Sequence, residues 1–193
     1  MSYGTGVRRC VKCGRKFYSD CADICQGCFV AEVEAEKKVE AENRAMHFKL
    51  KIELVPSPLW YKGLRSKVSP EVWDKIRYEV YRASGNKCVV CGASGKLYCH
   101  EVWAYDDDSH IQKLVRLEAL CELCHNVKHI GLAGIKAERG EVDYNRVIRH
   151  FMRVNGCSYE DFKAHEGSAY EVWEERSDFE WVCDFGEYAG MVV

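Results

Sequence analysis

The sequence predicts an α+β fold, mainly helical, with a small zinc-stabilised core, flanking helices and an N-terminal zinc ribbon or knuckle. Three observations predict it. Of the 12 cysteines, most fall in four Cys-x2-Cys pairs, a spacing that places two thiolates on one tight turn and suits tetrahedral zinc. Apolar residues recur at helical spacing in several segments outside those pairs. The one clearly strand-like stretch, residues 96–102, lies between two of the pairs.

Composition narrows the class. At 193 residues, 47% apolar and 30% charged, the chain reads as soluble and globular, with length for one domain or two small ones. No apolar run approaches the ~18 residues that would suggest a membrane span. Met1-Ser2-Tyr3-Gly4 lacks the charged-then-apolar order of a signal peptide, so the cytoplasm is the expected location. Without export, paired cysteines favour zinc over a disulfide framework.

From the N-terminus, Cys10-x2-Cys13 and Cys25-x2-Cys28 form the first candidate zinc site (residues 1–29), with Cys21 a possible substitute ligand. Few apolar residues accompany it, so metal would supply its folding energy. Arg8, Arg9 and Lys12 are the candidate nucleic-acid contacts here. Residues 30–55 read as a charged linker, helical over 30–50, where Glu34–Lys38 and Glu40–Arg44 stand at i,i+4 spacing. Its thin apolar stripe suits a spacer or a helix that docks a protein partner. Pro56-Ser57-Pro58 ends it. Ser69-Pro70 starts the next helix as N-cap and N1, and Val72, Trp73, Ile76 and Val80 form its inward face.

Residues 56–135 hold the densest chemistry. Cys88, Cys91, Cys121 and Cys124 make a second closed zinc site. His125 and His129 share a helix face at i,i+4, and His100 adds a third neutral imidazole, which leaves coordination space open. The helix is expected to stop at Gly131, and Tyr105 to His110 to form a polar loop. Arg65, Lys67 and Lys96 belong to a basic stretch, 57–96, that suits phosphate. His47, His110, His150 and His165 carry no assigned role. Residues 136–193 read as an acidic helical extension: a helix over 143–155, then a start at Ser158-Tyr159-Glu160-Asp161 and a charged helix bearing Tyr170, Val172 and Trp173.

The run Cys88-Val89-Val90-Cys91-Gly92, Leu97-Tyr98-Cys99-His100-Glu101-Val102 and Leu117 to His129, ending Cys-His-x3-His, resembles the HNH (ββα-metal) endonuclease family. The resemblance covers about 45 residues. It implies two strands and a helix cradling one divalent ion against a scissile phosphate in DNA. It makes His100, His125 and His129 the ligands of that ion (Mg, Mn, Ni or Zn) and leaves the cysteine-bound zincs structural. The family's first-strand pair is His-His or Asp-His, metal ligand then base. Here it is His100-Glu101, so Glu101 takes the general-base position. Arg116 stands where the family has an orienting Asn, and is expected to contact phosphate or pair with Glu101. A register shifted by one would make Cys99 the ligand and His100 the base. A catalytically degenerate zinc protein that binds nucleic acid or a protein partner is the alternative.

Overall fold

A computed structural model describes residues 7–18 and 23–192. Cys21 lies outside the described residues. The fold is α+β, about half helical, with two small sheets. The chain divides into two units between Met46 and His47, and not at the expected boundaries of 29/30, 55/56 and 135/136. The reason is in the packing: Leu50 and Ile52 are buried in the same cluster as Val127, Phe151 and Phe162. Residues 50–54 are therefore core of the second unit, and so are the helices beyond 136.

The first unit begins with a hairpin of β1 (Val7–Arg9) and β2 (Lys16–Tyr18), paired Val7 to Tyr18. Its turn carries Cys10 and Cys13 and closes through Gly14 at φ 70°, a left-handed position that glycine adopts freely. A long helix follows, α1 (Gln26–Met46). Its apolar stripe is as thin as the sequence suggested, with Phe29, Val30, Val39 and Met46 exposed.

The second unit is organised around one long hairpin. Helix α2 (Pro70–Ala83) starts as expected, with the Ser69 hydroxyl accepting the Val72 N–H. β3 (Leu97–Asp106) and β4 (Ile111–Cys121) pair antiparallel over their length. They are longer than the strand expected over 96–102, and the expected polar loop is only their tight turn. Pairing jumps from Val102–Arg116 to Trp103–Leu114. Val115 is thus the extra residue of a bulge, and Leu114 and Leu117 both face one side.

Each face of the hairpin has its own core. On one face Leu114 and Leu117 meet Leu64, Val68, Trp73 and Ile76. On the other, Leu120 joins the cluster made by α3 (Glu122–Lys128), α5 (Tyr144–Asn155) and α6 (Tyr159–Ser177). α3 breaks at His129 (φ −103°, ψ 50°) and α4 (Ile130–Glu138) continues beyond it. The helix was expected to end at Gly131, but the break comes two residues earlier. Asp143 caps α5, and Ser158 with Asp161 forms a reciprocal capping box on α6. A short β5 (Val182–Asp184) adds parallel to β4, a strand absent from the sequence reading. Among the described residues no helix is long and apolar enough to cross a membrane.

Candidate metal centre

Two cysteine quartets and one histidine trio each bring their donor atoms within 4.8 Å of one another. The quartets are Cys10, Cys13, Cys25, Cys28 and Cys88, Cys91, Cys121, Cys124. All eight are free thiols. A tetrahedron with Zn–S bonds of ~2.3 Å has edges of about 3.8 Å. Cys13 Sγ lies 3.7 Å from Cys25 Sγ, and Cys91 Sγ lies 3.6 Å from Cys121 Sγ. Both quartets therefore fit zinc.

Crowding of the sulfurs sets their protonation. The backbone N–H groups of Cys13 and Cys25 hold the Cys10 thiol down at about 6, while Cys28, sharing protons with Cys13 and Cys10, is pushed up to about 12. In the second quartet Cys88 is held far down by donation from Cys121 and Cys124, and Cys124 is pushed far up by Cys121 and Cys88. One thiolate forms at its neighbours' expense, a conflict that a dication removes.

His150, given no role from sequence, supports the second quartet. Its Nδ1 lies 2.8 Å from the Arg153 guanidinium, which can only donate. Nδ1 is therefore the acceptor and Nε2 carries the proton. That Nε2–H reaches Cys124 Sγ at 3.0 Å, an outer hydrogen bond of the kind that fixes a metal ligand.

The third group joins His100 from the middle of β3 with His125 and His129 from the end of α3. His100 Nδ1 lies 3.1 Å from His129 Nε2, and the three rings meet edge to face. Tyr98 stacks on His125 at 5.1 Å. Burial pushes His125 down first; His129, His100, Lys136 and Arg65 push it further, to about 2. His129 is likewise held at about 3. Neutral imidazoles are the form that binds metal. Cys99 points to the opposite face of the strand, paired with Ala119, which removes the shifted-register alternative.

The outer partner of His100 is Glu53, which sequence reasoning missed. His100 is 2% exposed, and its Nε2 sits 2.9 Å from Glu53 Oε2, so Nδ1 is left to face the other two rings. Burial pushes the Glu53 carboxyl up, but the His100 hydrogen bond and the Lys128 ammonium outweigh it and hold it at about 2. Lys128, 4% exposed, bonds Glu53 and lies 3.8 Å from Glu118. The segment carrying Glu53 had been read as a linker. Its alternation, Leu50, Ile52, Leu54, was the available signal for a buried extended segment, and the Glu53 N–H bonds the Lys128 carbonyl at 2.9 Å.

Two residues expected in the reaction lie elsewhere. Adjacent side chains of a strand point to opposite faces, so Glu101 faces away from His100. Its carboxylate accepts the Arg65 N–H at 3.0 Å, and burial pushes its pKa up. Gly63 makes room for it: a Cβ there would stand 2.4 Å from Glu101 Oε2. Glu101 thus holds the turn that carries Arg65, whose charge acts on His125. Arg116 does not reach Glu101. It lies on the other face, opposite Val102, and binds Glu118 at 2.6 and 2.8 Å.

Of the expected nucleic-acid contacts, Arg8 pairs with Asp23, Arg9 bonds the Gly14 carbonyl and Lys12 pairs with Glu32. Lys67 ends the Leu64–Ser66 turn. Arg65 lies near His125, and Lys96 rests on Tyr98 at 5.2 Å. Comparison with family models, with curated proteins and with solved structures returned no match.

Proposed function

We propose that the second unit is a metal-dependent endonuclease domain of the HNH type, hydrolysing phosphodiester bonds in DNA. One observation carries the reading. Three neutral imidazoles converge from the middle of β3 and the end of α3 on one point, with the outer nitrogen of His100 fixed by the Glu53 carboxylate. A structural histidine has no need of two histidine neighbours and such a partner, whereas a metal ligand does. The strand β3 and the helix that follows the hairpin supply the three ligands, within the strand–strand–helix order that the resemblance implies.

His100, His125 and His129 would hold one divalent cation, and all-imidazole ligation favours a transition metal. Bound there, a divalent cation supplies Lewis-acid stabilisation of the phosphate and of the departing 3′ oxygen. The chain's own residues do the remainder. Glu53 fixes the His100 tautomer, so that Nδ1 faces the site. Lys128 neutralises Glu53 inside the protein. Arg65 and Lys136 bring positive charge beside His125, where a phosphate would sit. Glu101 acts as a positioning residue for Arg65 rather than as the base. The cysteine-bound zinc would be structural, since four thiolates close its shell.

The binding-module alternative keeps one observation in its favour: Glu101 is engaged on the face away from the three histidines, and Arg116 is taken up by Glu118. Relaxation of supercoiled plasmid with Mg, Mn or Ni separates the two readings. The nuclease reading expects nicking by wild type, none by His100→Ala, and near-wild-type nicking by Glu101→Gln, whose amide oxygen still accepts the Arg65 N–H. Loss of nicking in Glu101→Gln, with its fold intact, restores Glu101 as the base. No nicking by wild type under any of these metals sinks the enzyme.

A further inference from the structure

A groove of about 630 Å³ opens beside the second cysteine quartet. Lys49, Lys96, Arg146 and Arg153 line it, against one carboxylate, Glu122. Its floor includes Cys91, Cys121 and His150. The groove's positive charge rests on the four cations. All four are exposed, and none has a carboxylate partner within 4 Å among the described residues. The groove is thus a concentrated positive site on a chain whose formal net charge is −2.

Charge alone would accept any polyanion; position chooses among them. The Lys96 ammonium lies over the Tyr98 ring, and Tyr98 stacks on His125. A continuous ladder therefore joins the edge of the groove to the three histidines. A ligand with evenly repeated negative charges could follow this path from the groove toward the three histidines.

We propose that this groove holds the phosphodiester backbone of nucleic acid and leads it across Tyr98 to the three histidines. The proposal rests on the nuclease reading for the identity of the polyanion. The groove's own contacts are to phosphate, so they give affinity and register without sequence preference.

The test is fluorescence-anisotropy binding of the full chain to a labelled duplex and to a labelled single strand, without added divalent metal, over a range of salt. Lys96→Glu/Arg146→Glu is compared with wild type and with Lys75→Glu/Arg82→Glu. The last pair changes net charge equally but lies on α2, which packs on the hairpin's other face. The altered side chains are exposed, and circular dichroism verifies that each variant folds.

The expected result is that the groove variant weakens binding at least about tenfold and lowers the slope of log affinity against log salt by about 2, one for each lost phosphate contact. The α2 variant binds as wild type does. Equal binding by the groove and α2 variants overturns the proposal. So does displacement of the nucleic acid by poly-glutamate at equal charge concentration, which would make an acidic protein the occupant. Groove-dependent binding by a wild type that fails to nick under Mg, Mn and Ni removes the nuclease reading and leaves the groove standing.

Discussion

At the scale of single residues, the centre depends on one carboxylate, Glu53, more than on the pair named by its sequence position. Glu53 serves two partners, His100 and Lys128. Removing it strands a buried ammonium and frees the His100 ring to turn. Glu53→Ala is expected to cost roughly 1–3 kcal/mol of stability, the range for leaving a buried polar group short of a partner, and to weaken metal binding at the histidines by about 10–100-fold. Urea unfolding and metal titration measure the two effects. An unchanged metal affinity would show that the Glu53–His100 bond does not orient the ligand. His165 carries a separate pH effect. Its Nε2 accepts the Ile52 N–H at 3.0 Å, and burial holds its pKa at about 4. The ordinary value is about 6.5. Between those values the unfolded chain takes up a proton that the folded chain refuses. Stability is therefore full above pH 6.5 and falls as pH drops toward 4. His165→Gln keeps an acceptor and cannot titrate, so the slope of unfolding midpoint against pH should flatten in that window.

At the scale of elements, helix caps and apolar periodicity were the legible part. Ser69-Pro70 and Ser158 start α2 and α6 as their types require, and α5 buries Val147, Ile148 and Phe151 on the face its spacing marks. What propensity could not reveal was pairing. β5 is three residues long, and what makes it a strand is its partner β4, whose Ile111 faces its Val182. The bulge at Val115 is also a product of pairing, because it exists only relative to Val102 and Trp103. The Gly63–Arg65 turn depends on contact in the same way: Gly63 has ordinary backbone angles (φ −68°, ψ 166°), and its requirement for glycine comes from Glu101 on β3. Gly63→Ala must push that carboxylate aside. A loss of about 1–3 kcal/mol is expected, read by chemical denaturation. A loss near zero would mean that the turn yields at no cost.

At the scale of the whole molecule, the two units draw stability from different sources. The unit ending at Met46 has only Cys10 and Cys25 among its described buried apolar residues, whereas the second has two hydrophobic clusters. Zinc removal by a strong chelator should therefore unfold the first unit outright and leave the second folded at lower melting temperature. Limited proteolysis with and without chelator tests this; equal protection of residues 7–46 in both states would contradict it. Metal analysis of the untreated chain is expected to find two tightly held zinc ions, with a further, exchangeable divalent ion at the histidines.

The sequence by itself determined the donor sets. Cys-x2-Cys and His-x3-His are local spacings, and a turn or one helical repeat brings such residues together whatever the rest of the chain does. The joining of His100 to His125 and His129 was legible through the family resemblance, and the structure brings the three together. Tertiary structure alone decided the partners of those donors. Strand alternation sent Glu101 to the face opposite His100, and cross-strand register placed Arg116 beside Val102. An extended segment distant in sequence delivered Glu53 to His100, and α5 delivered His150 to Cys124. The physical reason is range: covalent spacing fixes what a few residues can do together, while hydrogen bonds and ion pairs between distant segments form only once both hydrophobic clusters have closed around the hairpin.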